Sequence, residues 1–270
     1  MKKSPSVVLF VLWTFLLSYG LWAICILGQR LGLFPPGSMW FMPFYLLGGN
    51  VPPIVAFFIL KRADPELTPK QFLKTAFAVK QKPVYYLLSV LTVALCFVVP
   101  AMIGGLDMAT PPGLDASGGS GPIPPYLTLI AIPVFFFSGG SEELGWRGVL
   151  QPGLEKKMPF LPATCITAVV WTLWHLPLWF IEGTGQSEVD FVRFFITVVG
   201  FSFGLAAVRR VSGSVFLCVL IHCALNSLSG SWPVKDELPA RALTALVYIL
   251  FSLAVVFWHK RRGARIAEGS

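Results

Sequence analysis

Charge is what this chain has little of. Asp, Glu, Lys and Arg make up 13% of its 270 residues, where soluble domains carry roughly 25%. Hydrophobic residues make up 55%. That balance argues against a soluble globular fold and makes a lipid bilayer the expected solvent. The five cysteines (Cys25, Cys96, Cys165, Cys218, Cys223) all fall in apolar stretches, without the paired loop spacing of a disulfide framework or a zinc knuckle. No His-Glu-x-x-His run occurs, so the helical zinc-protease signature is missing. The end of the chain, Ala267-Glu268-Gly269-Ser270, has no prenylation cysteine, and no such lipid anchor is expected.

Long apolar runs are what the chain has in abundance. A spanning helix needs about 20 mostly apolar residues. Runs bounded by charge, Pro and Gly place eight spans near residues 6–29, 38–60, 84–105, 126–153, 161–181, 190–208, 213–229 and 241–259. Lys2 and Lys3 ahead of the apolar run from Val7 to Leu27 resemble a secretory signal. The run exceeds the about 7–15 residues of such a segment and reads instead as the first span. The expectation is an all-α polytopic domain over residues 1–270, with both termini cytoplasmic.

The basic residues support that arrangement, because Lys and Arg near span ends stay cytoplasmic. With the N-terminus inside, sixteen cations fall on the cytoplasmic side, among them Lys61, Arg62, Lys156, Lys157, Arg209, Arg210 and Lys260 to Arg262. Four fall outside: Arg30, Arg193, Lys235 and Arg241. This asymmetry accounts for the net charge of +8 without a nucleic-acid partner. Between spans two and three, Thr68-Pro69 reads as a helix start, with Phe72, Leu73, Ala76 and Phe77 on one face of a short helix on the cytoplasmic surface. The stretch from Gly104 to Pro125, rich in Gly, Pro and Ser and carrying Asp107 and Asp115, reads as a flexible external loop. Gly200 and Gly204 form a small-xxx-small pair suited to a close helix contact.

One cation, Arg147, is left inside a span, in Ser-Glu-Glu-Leu-Gly-Trp-Arg-Gly beside Glu142 and Glu143. An ionisable side chain at the centre of a spanning helix costs about 2.5–3.5 kcal/mol on insertion scales, so such residues face an interior and have partners. Residues four apart share a helix face, so Glu143 pairs with Arg147 while Glu142 projects elsewhere, free of its own cation and suited to act as a general base. The alternative is that both carboxylates clamp Arg147 structurally. His175 follows Trp171 by four residues, with Pro177 expected to bend the helix just beyond it. His222 and Asn226 are also four apart, and can converge on one ligand or water. Together these groups supply what a hydrolytic site needs: a base for a water, ligands or hydrogen bonds to hold it, and donors for an oxyanion.

The triple pattern Glu-Glu-xxx-Arg, aromatic-xxx-His and His-xxx-Asn resembles that of the type II CAAX prenyl endopeptidases and bacteriocin-processing enzymes, the CPBP or Abi family of intramembrane metalloproteases. The match covers roughly residues 126–228, the expected catalytic core, and departs from the family's usual Phe at Trp171. The resemblance implies an intramembrane endopeptidase in which Glu142 activates the attacking water. It implies that His175, His222 and Asn226 bind a metal or the oxyanion, with Glu143 and Arg147 in support. A zinc ion held by His175 and His222 and a site working by hydrogen bonding alone both remain open. The expected partners are the bilayer and a peptide or protein substrate, prenylated or otherwise membrane-anchored, cleaved in a cytoplasm-facing cavity. The expected location is a bacterial plasma membrane. A proton-coupled transporter using the same groups as a relay, or a non-catalytic membrane scaffold, are the competing functions.

Overall fold

A computed structural model describes residues 5–35, 38–104, 130, 132–229 and 237–268. All regular structure among them is helical, with no strand. The expected loop from Gly104 to Pro125, with Asp107 and Asp115, lies almost entirely outside the described residues.

Among the described residues, five helices are long and apolar enough to cross a membrane: α1 (Val7–Arg30), α5 (Pro83–Gly104), α7 (Phe160–His175) with its extension to Phe180, α8 (Phe191–Ser212) and α10 (Leu238–Glu268). The pair α2 (Met42–Gly49) and α3 (Val51–Ala63), bent by 42°, is apolar enough to make a sixth if the two form one broken span. The other two segments read as spans take different forms. α9 (Val215–Ser229) is a short helix of 15 residues. Residues 132–155 are a chain of short helical pieces, beginning with the 3-10 turn Ile132–Phe136. We call 140–155 α6; it passes from 3-10 through α to a π-turn at Trp146–Leu150 before regaining α geometry. The break ahead of α6 is set by Gly139, whose φ of 133° a residue with a Cβ rarely adopts.

Two prolines, Pro52 and Pro177, each leave a carbonyl that another helix satisfies. Pro52 has no N–H for the carbonyl of Gly48, and Ser18 Oγ of α1 donates to that oxygen at 2.8 Å. Pro177 likewise leaves the Leu173 carbonyl free, and the Tyr19 hydroxyl donates to it. α7 does not simply bend there; it ends at His175 and tightens into a 3-10 turn, Leu176–Phe180. Phe10, Trp146 and Trp174 meet edge to face, and Trp22 packs tilted against Trp174, filling the space between α1, α6 and α7.

α8 and α10 pack closely because Gly200 and Gly204 have no side chains. A Cβ on Gly200 would stand 3.2 Å from Ala245 Cα, and one on Gly204 would stand 2.8 Å from a Tyr248 ring carbon. The short helix α4 (Pro69–Ala76) carries a full capping box, Thr68 with Gln71. Phe72 and Ala76 turn into the protein while Leu73 and Phe77 remain exposed. Only half of the expected apolar face therefore points outward.

Candidate active site

Glu142 and Glu143 open α6 with their side chains on different faces, and their partners differ accordingly. The Glu143 carboxylate is fully buried and lies 3.4 Å and 3.3 Å, by its two oxygens, from one guanidinium nitrogen of Arg147. The other terminal nitrogen of Arg147 donates to Ser202 Oγ of α8 at 3.1 Å. The guanidinium carbon sits 4.7 Å from the centre of the Trp171 ring, a cation–π contact inside the protein. The Arg147 carbonyl accepts from Arg209 Nε at 3.0 Å. Arg147 therefore joins α6 to α7 and α8.

Glu142 does not contact that cation. Its Oε2 accepts from two indoles, Trp171 Nε1 at 2.9 Å and Trp146 Nε1 at 3.2 Å. Oε1 makes no hydrogen bond to a described residue. A double clamp of Arg147 by both carboxylates is therefore not what the fold builds.

Each histidine is oriented through Nδ1. His175 Nδ1 lies 2.8 Å from the Trp171 carbonyl, which can only accept, so Nδ1 carries the proton and Nε2 has its lone pair free. His222 Nδ1 lies 2.8 Å from Glu143 Oε1, an imidazole–carboxylate contact that fixes the ring. Asn226 Nδ2 donates to the Ser138 carbonyl at 2.9 Å. A Cβ on Gly139 would fall 2.4 Å from Asn226 Nδ2 and 2.7 Å from His222 Nε2, so only glycine lets the chain pass this close to both groups.

Glu142, His175, His222 and Asn226 line one cavity of about 270 Å3. Glu143 and Arg147 stand behind it and do not line it. Trp171 is its hub: the indole N–H holds Glu142, the carbonyl holds His175, and the ring meets the His222 ring edge-on with centres 5.4 Å apart. Among the described residues no three His, Cys, Asp or Glu side chains gather as a metal-ligand set.

The geometry adds residues that the reading of ionisable groups passed over. Asn50, at the α2–α3 break, donates to the Phe137 carbonyl at 2.8 Å and accepts from Ser141 Oγ at 2.7 Å. It thereby ties the loop before Glu142 to a second wall. A polar amide within the apolar run 38–60 is the signal that marks it. The Trp146 indole and Ser202 had no such signal, since neither residue type is unusual in a span.

The family described as "Type II CAAX prenyl endopeptidase Rce1-like" matches residues 124–228, the part of the chain that holds Glu142, Glu143, Arg147, His175, His222 and Asn226. Over that segment the chain is similar to that family. A relative named "CAAX prenyl protease 2", from Methanococcus maripaludis, is 23% identical over 275 residues, covering 96% of this chain and 96% of its own length. The likeness read from the three motifs is thus found again by matches that extend beyond them, and it supports an intramembrane endopeptidase acting on a protein or peptide at the membrane.

Proposed function

We propose that the protein is a membrane-embedded endopeptidase that hydrolyses a peptide bond with a water activated by Glu142. The observation that carries this reading is a buried carboxylate with one oxygen held by two indoles, in a cavity shared with the imidazoles of His175 and His222. A water held between Glu142 Oε1 and His175 Nε2 gives up its proton to the carboxylate as its oxygen attacks the scissile carbonyl. Asn226, together with His222 when that ring carries both protons, donates to the oxyanion. Glu142 then returns the proton to the departing amine. Glu143 and Arg147 act through His222, holding its ring toward the cavity. The substrate is a lipid-modified peptide, prenylated or otherwise anchored, and the site of action is a bacterial plasma membrane. A transporter needs no oriented oxyanion donors, and a scaffold needs no open carboxylate oxygen.

The test is cleavage of prenylated and unprenylated reporter peptides by purified protein. The peptidase reading fails if neither peptide is cut under any condition in which the protein is folded.

Trp171 is a positioning residue in this scheme. Trp171→Phe keeps an aromatic ring beside His222 but removes the donor to Glu142. A hydrogen bond to a charged group is worth about 1.5–3 kcal/mol, so kcat is expected to fall by about tenfold or more with KM unchanged. A matching rise in KM at constant kcat would mean that the ring only shapes the pocket.

His175 and His222, through Nε2, with Glu142 as a third donor, are the residues that would hold a zinc ion, which would polarise the scissile carbonyl. Glu142 Oε2 is already engaged by two indoles, and no three ligand side chains stand together among the described residues. The fit is poor, and no step is assigned to a metal. Cleavage is expected to survive exhaustive chelation without loss of rate. Loss of activity that zinc alone restores would reassign the two histidines as ligands.

A further inference from the structure

The cavity is not placed symmetrically in the fold. The basic ends of the helices lie together: Arg210 at the end of α8 pairs with Glu155 at the end of α6, and Tyr86 of α5 meets Phe216 of α9. Lys156 and Lys157 lie just before α7 begins at Phe160. At 1.5 Å per residue, His175 is about 22 Å and Glu142 about 20 Å from the basic ends of their own helices, in a hydrocarbon layer about 30 Å thick. Asn226 lies within one turn of the far end of α9 at Ser229.

The space toward the basic end is filled. Leu144, Trp146, Arg147 and Leu150 of α6, with Phe203 and Val208 of α8, are all buried between the site and that end. None of them lines the cavity. Its lining at the other end includes Met42 at the start of α2, Phe194 near the start of α8 and Gln186 in the connection between α7 and α8. Phe137, also in the lining, is two-thirds exposed. Two cross-links belong to the same end: the Gln29 side chain bonds to the backbone of Glu182 in both directions, and Arg241 donates to Thr197.

Loops rich in Lys and Arg stay cytoplasmic. We infer that the cavity opens on the extracytoplasmic face, so that its substrate is a membrane-anchored peptide presented from the outer side of the bilayer. This rests on the peptidase reading above and replaces the cytoplasm-facing cavity expected from the sequence. A packed core stands between the reactive groups and the cytoplasm, and peptide and water both arrive from the opposite face.

Two measurements on the full chain test it, and they fail separately. In sealed spheroplasts, a membrane-impermeant maleimide is expected to label Glu188→Cys and Glu182→Cys, with the wild-type protein as blank. Lys157→Cys is labelled only in inverted vesicles. The reverse pattern overturns the proposed orientation whatever the activity. An impermeant lipid-anchored reporter peptide added outside is expected to be cut by spheroplasts and spared by sealed inverted vesicles. Cutting by inverted vesicles alone, with the labelling as expected, overturns the proposed access. Absence of cleavage in both preparations and in detergent removes the peptidase reading, and the inference about substrate with it, while leaving the orientation to the labelling.

Discussion

Glu142→Gln is expected to remove peptide cleavage while leaving the helices assembled. The amide oxygen can still accept from Trp146 and Trp171, so both indole bonds survive the exchange. Packing is unchanged because the two side chains have nearly the same shape. The proton acceptor is lost, and a positioned acid–base group contributes about 10²–10⁴-fold to a rate. Replacing a buried carboxylate that has no cation of its own with a neutral amide also avoids the cost of burying charge, so the thermal midpoint is not expected to fall. The measurement is a turnover rate beside a thermal unfolding curve on the same preparation. Retention of the full rate would show that another group activates the water.

Which parts of this site were legible in the sequence follows from what spacing can and cannot encode. Four-residue spacing is a property of one helix, so the pairing of Glu143 with Arg147 and the separate face of Glu142 could be read directly. The shared face of Trp171 and His175, whose tilted rings have centres 5.9 Å apart, was legible for the same reason. Contacts between helices were not. Nothing in the run Ser-Tyr-Gly announces that Ser18 and Tyr19 take up the carbonyls freed by Pro52 and Pro177. The spans show the same limit. Apolar length located α1, α5, α8 and α10, whereas residues 126–153 were read as one helix because hydropathy does not register a glycine at φ 133°. Where the chain is most polar it is also least regular, and a π-turn beside the reactive residues fits the tendency of such turns to occur at functional sites.

Arg147→Met is expected to cause the largest loss of stability of any single change considered for this protein. Arg147 and Glu143 are both fully buried, and removing one member of a buried ion pair typically costs about 3–5 kcal/mol because the other is left as an uncompensated charge. Here the loss includes the bond to Ser202 and the contact with the Trp171 ring, which between them join α6 to α7 and α8. Neutralising the stranded carboxylate should reverse much of this, so the double variant Arg147→Met with Glu143→Gln is expected to be more stable than Arg147→Met alone. Activity should not return in parallel. A neutral amide at position 143 no longer offers a charge to the His222 ring, and that ring is what the pair holds toward the cavity. Thermal unfolding of the two single variants and the double variant in one detergent measures the coupling, and turnover on the same samples measures the rest. Recovery of both stability and full activity in the double variant would mean that the charges serve assembly alone. Recovery of stability without activity would place the Glu143–His222 contact in the reaction itself.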